Sequence, residues 1–240
     1  MNHVMHQFEV KRFVPLELFG FDVSFTNASL FMVLAFICGI SLLWFLVRKQ
    51  EVVPGISQAV IEGLYRFIKN TAADAIGHGY EKYLPYIFSV FIFVLMGNLL
   101  GLFPYSFTFT SQLAPVGAFA LLGLLVSAII GLKHQGLKWF RTFLPTGVPV
   151  ILAPIIVPIE IISFLSKPFS LTIRLVMNMF VGHILLKIVA GYVYSSGLIG
   201  ALPVGVICIL IMFELFVAFL QAYIFTILTS VYLGQAIHSH

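Results

Sequence analysis

Charge is what this sequence has least of. Only 9% of its 240 residues are Asp, Glu, Lys or Arg, where a soluble domain carries about a quarter. So few ionisable groups cannot cover a folded surface in water, and a soluble domain is excluded. Cysteine is scarce as well. Cys38 and Cys208 both fall in apolar runs, which leaves no disulfide framework and no metal-ligand spacing. The net charge of +4 is scattered through short connections rather than gathered on one face, which argues against nucleic acid as a partner. No internal repeat or low-complexity tract is evident. Nor does the chain open like a cleaved signal: residues 1–28 are mixed and polar, and Arg48 and Lys49 follow the first apolar run instead of preceding it. What is abundant is apolar surface, with 60% hydrophobic residues and a mean hydropathy of +1.07. The solvent of this chain is the lipid bilayer, and its class is an all-α polytopic membrane protein in one membrane domain, 1–240.

A helix needs about 20 mainly apolar residues to cross roughly 30 Å of hydrocarbon. Residues 29–47, 85–104 and 112–132 meet that requirement. Segment 54–82 does not; its Ile56, Val60, Leu64, Phe67, Thr71 and Ala75 recur at helical spacing, as suits a helix lying in the membrane interface. Two later runs are over-long. Residues 148–190 would reach about 65 Å as one helix and 202–234 about 50 Å. Either the first is a hairpin broken near Lys167-Pro168, or both are strongly tilted. Pro154, Pro158 and Pro168 are expected to kink the first in either case. Positive residues set an orientation: Arg48, Lys49, Arg66, Lys69 and Lys82 lie in one connection and Lys133, Lys138 and Arg141 in another. The opposite side has Lys11 and Arg12 and none in 105–111. The N-terminal segment, 1–28, is therefore expected outside, and the C-terminus on the cytoplasmic or matrix side.

An ionisable group inside a spanning segment is expensive, and so it is a functional candidate. Glu160, Lys167, Arg174, His183, Lys187 and Glu214 lie within the last two runs, and Asn98, Asn178 and Gln221 add polar side chains at depth. At 100° per residue, Glu160, Ser163, Lys167, Ser170, Arg174 and Asn178 fall within about 40° of one line. His183, nine residues beyond Arg174, points to the opposite face. Gln221 follows Glu214 by two turns on one face. Blander roles exist for each. Arg174 could pair with Glu160 or Glu214, the lysines could reach for the interface, His183 could be a hydrogen-bonded core residue, and Asn98 could join helices beside the small Gly97/Gly101 pair.

The chemistry such a set permits is narrow. No two deep histidines share a face for haem, no Cys/His cluster suits a metal, and no Ser–His pair at one depth suits a protease. Histidine and glutamate do suit proton relay, because each gains and loses a proton near neutral pH in the right surroundings. Arginine does not, since its guanidinium stays protonated; it serves as a fixed positive wall.

"SKPFSLTIRLVMNMFVGH" (166–183), "ELFVAFLQAYIFTILTSVYL" (214–233) and "GNLLGLFPYSFT" (97–108) closely resemble subunit a of the F-type ATP synthases, with the likeness running from about residue 20 to the end. The resemblance implies a stator subunit that conducts protons past a rotating proteolipid c-ring, with peripheral-stalk b-type and other synthase subunits as further partners. It implies steep tilt for the last two helices, no cofactor, and no bond-making by the chain itself. Arg174 matches the essential arginine between an inlet and an outlet half-channel. Asn178 matches the asparagine one turn on, and Gln221 the glutamine facing that arginine. His183 and Glu214 match a pair whose residues trade places between members, here in the order of alphaproteobacterial and mitochondrial chains. Glu160 matches an acid of the inner half-channel, and Asn98 a polar residue near the access path. A bacterial inner membrane is implied, with the mitochondrial one as alternative. Met177 and Val181 depart from the smaller residues usual there. Two other readings compete: a proton-coupled secondary transporter, which predicts internal repeats, and a structural anchor of a respiratory complex, which leaves the polar line unexplained.

Overall fold

The computed structural model describes residues 12–15, 17–18, 21–22, 24–47, 55–103, 106–136, 139, 143, 152–195 and 201–237. Lys11, Arg48, Lys49, Lys138, Arg141 and the start of the 148–190 run lie outside the described residues. Six long helices follow a short stranded segment. They are α1 (Asn27–Val47), α2 (Ile56–Ile76), α3 (Leu84–Gly101), α4 (Leu113–Gln135), α5 (Ala153–Ser195) and α6 (Ala201–Ile237). All but α2 are long and apolar enough to cross a membrane. Helices are the expected solution there, because in hydrocarbon a segment must satisfy its own backbone donors and acceptors.

The polar N-terminal segment forms strands, which the hydropathy pattern did not reveal. β1 (Arg12–Val14) pairs antiparallel with β4 (Phe25–Thr26), and β2 (Glu17–Leu18) with β3 (Phe21–Asp22) nested inside it. These short pairs sit ahead of an otherwise helical chain.

The over-long run of α5 is one continuous helix of 43 residues, not a hairpin. Pro158 and Pro168 lie inside it. Pro154 does not threaten it: in the first turn there is no N–H bond to lose. Pro168 has no N–H to give the carbonyl of Phe164, four residues back. Tyr232 supplies the missing donor, its hydroxyl donating to the Phe164 carbonyl oxygen at 3.2 Å. Thr172 Oγ1 in turn donates to the Pro168 carbonyl at 2.8 Å.

Contacts divide the chain into two compact units. The first comprises residues 1–45, 92–116 and 174–222. Lipid tails are as apolar as leucine, so helices here associate through close packing and not through exclusion of water. Small residues accordingly face inward: Ala28, Ala35 and Gly39 of α1 are buried, and a Cβ on Gly39 would lie 3.0 Å from Ile92. Ala28 and Ala35 pack with Phe107 and Phe109, and Phe31, Phe93, Met96 and Leu100 close around them. The stretch after α3 doubles back onto it. Gly97 and Gly101, a helix–helix pair on sequence grounds, instead make room for Phe109 and Thr108 of that stretch. Residues 107–111, which read as part of an outside connection, are buried.

The second unit comprises residues 46–91, 117–173 and 223–240. α2 ends at Gly77, whose φ of 76° only glycine adopts readily. Its packed face is Ile68, Ala72 and Ile76, one position round from the periodic set named above. Ile56, Val60 and Phe67 remain exposed. Phe67 meets Tyr223 at 4.8 Å between ring centroids, and Gly234 of α6 lies against the Ala75 carbonyl. Trp139, Phe143, Phe164 and Tyr232 form a chain of edge-on ring contacts. Gln135 Nε2 donates to the Ala236 carbonyl at 3.0 Å, which ties α4 to the end of α6.

Candidate functional site

α5 has two faces. Pro168, Leu171, Leu175, Met179 and His183 recur every three or four residues and are buried. Ser170, Arg174, Asn178 and Val181 are exposed. Arg174 is the central residue of the 43-residue helix, and among the described residues its guanidinium has no hydrogen-bond or ion-pair partner. Pairing with Glu160 or Glu214 is therefore not made. Glu160 is half-buried, four helical turns before Arg174. An arginine at the centre of a lipid-facing helix costs about 3 kcal/mol on insertion scales.

His183 lies on the buried face at 7% exposure. Thr108 Oγ1 is 3.0 Å from its Nε2. Glu214 of α6, 8% exposed, lies with its carboxylate against Gly182, the residue before His183. Glycine suits that position, since a Cβ would overlap Glu214 Oε1 unless the carboxylate moved aside. Asn98 of α3 is fully buried, and its Nδ2 donates to the carbonyl of Ala218 at 3.2 Å. Ala218 is one turn beyond Glu214 and about one turn before Gln221, which is 3% exposed. Asn98, His183, Glu214 and Gln221 are thus all buried, with α3, α5 and α6 each contributing. Arg174 and Asn178 stand on the exposed face, and no hydrogen bond joins Arg174 to Gln221 among the described residues.

Among the described residues, four buried oxygens of this unit have no protein hydrogen-bond partner: Asn98 Oδ1, Thr110 Oγ1, Glu214 Oε2 and Gln221 Oε1. An unpaired buried polar atom costs roughly 1–3 kcal/mol, so four in one unit require a reason beyond packing. Thr108, Thr110 and Gly182 were not singled out on sequence grounds. For the two threonines a signal was present in the hydroxyl-rich "SFTFTS" (106–111) between two greasy runs.

A bilayer-spanning chain with an unpaired cation on one face of a helix and a buried His, Glu and two amides on the other has the make-up of an ion-conducting membrane subunit. Known sequences narrow this further. The ATP synthase A chain family matches residues 29–234. An ATP synthase subunit a of Rhodospirillum rubrum is 44% identical over 241 residues, spanning 100% of both chains. Those of Rhizobium leguminosarum bv. trifolii and Rhizobium etli are each 47% identical over 244 residues, covering 99% of this chain and 98% of their own. The chain belongs to the ATP synthase A chain family.

Proposed function

We infer that the chain is the proton-conducting stator subunit of the membrane sector of a rotary ATP synthase, and that Arg174 separates its two half-channels. The observation that carries this is Arg174 itself: exposed, unpaired and at mid-helix. Such a charge needs a partner surface with an acidic group. A rotating ring of proteolipid subunits, each bringing one carboxylate, meets that need, and the exposed apolar residues Ile173, Met177 and Val181 beside Arg174 suit the same surface.

A proton arriving from outside passes the buried set of Asn98, His183, Glu214 and Gln221, whose uncommitted oxygens supply acceptors along the way. It neutralises a ring carboxylate, which can then face lipid. A deprotonated one would cost several kcal/mol there. After most of a turn the acid reaches the inner half-channel near Glu160 and releases its proton. The resulting carboxylate then passes Arg174, and Asn178 one turn on lies on the same face. Arg174 blocks a direct proton leak because it neither gives nor takes a proton under these conditions. The membrane potential supplies about 2.3 kcal/mol per charge per 100 mV. The chain makes no covalent bond; ATP is formed by other subunits.

At 1.5 Å per residue α5 spans about 65 Å and α6 about 56 Å, so both are tilted steeply against roughly 30 Å of hydrocarbon. The N-terminus faces outward and the C-terminus the cytoplasm of a bacterial inner membrane, with α2 in the interface and peripheral-stalk b-type subunits alongside. Membranes carrying Arg174→Ala or Arg174→Gln are expected to make no ATP from a proton gradient. Normal synthesis rates in either variant would refute the proposal, and would favour a purely structural anchor.

A further inference from the structure

Thr108 has no part in the pathway described above, yet it is 2% exposed and bonded to the one histidine in it. It sits on no long helix, so other contacts must hold it. Its carbonyl accepts from the Ser111 N–H at 3.1 Å and from Ser111 Oγ at 2.6 Å. Gly101 leaves space for its side chain; a Cβ there would fall 2.6 Å from Thr108 Cγ2. The hydroxyl is left between two groups, His183 Nε2 at 3.0 Å and the Gly101 carbonyl oxygen at 3.4 Å.

A hydroxyl has one proton to donate and two lone pairs to accept with. Opposite a protonated Nε2, Thr108 Oγ1 accepts from the ring and directs its own proton to the Gly101 carbonyl. Opposite a bare Nε2, the hydroxyl turns and donates to the nitrogen. A carbonyl could serve only the first state and an ammonium only the second. We propose that Thr108 is a positioning residue for proton translocation: its hydroxyl holds the His183 imidazole in one orientation in both states of Nε2, by switching between accepting from it and donating to it. Among the described residues Lys187, one turn on along α5, is a charged group that acts on the ring, while the carboxylate of Glu214 lies against the preceding residue, Gly182. Thr108 is a neutral partner that can follow a change of protonation without a change of place. The inference rests on the reading of His183 as a pathway residue.

The test uses membrane vesicles containing the whole synthase, stripped of its catalytic head, with passive proton flux normalised to the amount of this chain. Thr108→Val keeps the shape and removes the hydroxyl; Thr108→Ser keeps the hydroxyl. Loss of one hydrogen bond at this position should lower flux about fivefold in the valine variant, while serine stays within about twofold of the parent. Parental flux in Thr108→Val overturns the inference, as does an equal loss in Thr108→Ser, which would make the methyl and not the hydroxyl the contributor. If Thr108→Val does not accumulate in the membrane, Thr108→Ala, which only removes atoms, takes its place in the same comparison. His183→Ala separates the two layers of the argument. Parental flux there means the pathway reading has failed, whereas a loss in His183→Ala without a loss in Thr108→Val defeats the Thr108 inference alone.

Discussion

Gly182→Ala sets two effects of opposite sign against each other. Helix propensity alone favours alanine over glycine by about 1 kcal/mol. The structure opposes this. A Cβ at 182 would overlap Glu214 Oε1, with Cδ at 2.9 Å and Cγ at 3.2 Å, against an optimum of about 3.5–4 Å. The carboxylate therefore has to retreat by roughly an ångström. Overpacking of this kind costs about 1–3 kcal/mol, so it outweighs the propensity gain. On the proposed proton pathway, which includes Glu214, the functional effect should be larger than the effect on stability, because a reacting group displaced by about an ångström can lose on the order of a hundredfold in rate. ATP-driven acidification of inverted vesicles, read with a pH-sensitive dye and scaled to chain content, is expected to fall by one to two orders of magnitude. Adding Glu214→Asp, which draws the carboxylate back by one methylene, should restore part of the loss. Pumping at the parental rate in Gly182→Ala would refute the reasoning, and so would a double variant no better than the single one.

Three further outcomes can be checked by unfolding the purified chain in detergent. Tyr232→Phe leaves the Phe164 carbonyl without its donor and should cost about 1–3 kcal/mol; with Pro168→Ala as well, the helix regains its own N–H and the penalty should largely vanish. Gly234→Ala brings a Cβ to 2.5 Å from the backbone oxygen of Ala75, which cannot swing aside, so a loss of about 1–3 kcal/mol is expected. Gly205→Ala meets nothing within 4 Å and should be neutral or stabilising by up to about 1 kcal/mol.

Much of the candidate site was legible because helical geometry is local. Once 148–190 is helical, 100° per residue sets Arg174 and His183 on opposite faces, and the structure has one exposed and the other buried. Low charge and run length likewise determined a helical membrane protein, whatever its neighbours. Tertiary structure decided the rest. At Pro168 the carbonyl that the proline leaves without its helical donor is satisfied by a hydroxyl 68 residues away. The use of Gly97 and Gly101 depends on a stretch that folds back onto α3, and a small-residue pattern does not name what fills the space it leaves. In α6 the sequence is apolar almost all round, so its periodicity could not show that Ile209, Met212, Phe213 and Phe216 remain exposed while Phe225, Thr226, Ser230 and Leu233 are buried. Charge and helical period belong to the chain itself and can be read along it. Which greasy surface meets protein depends on close fit between segments far apart in sequence, and only the folded arrangement holds that information.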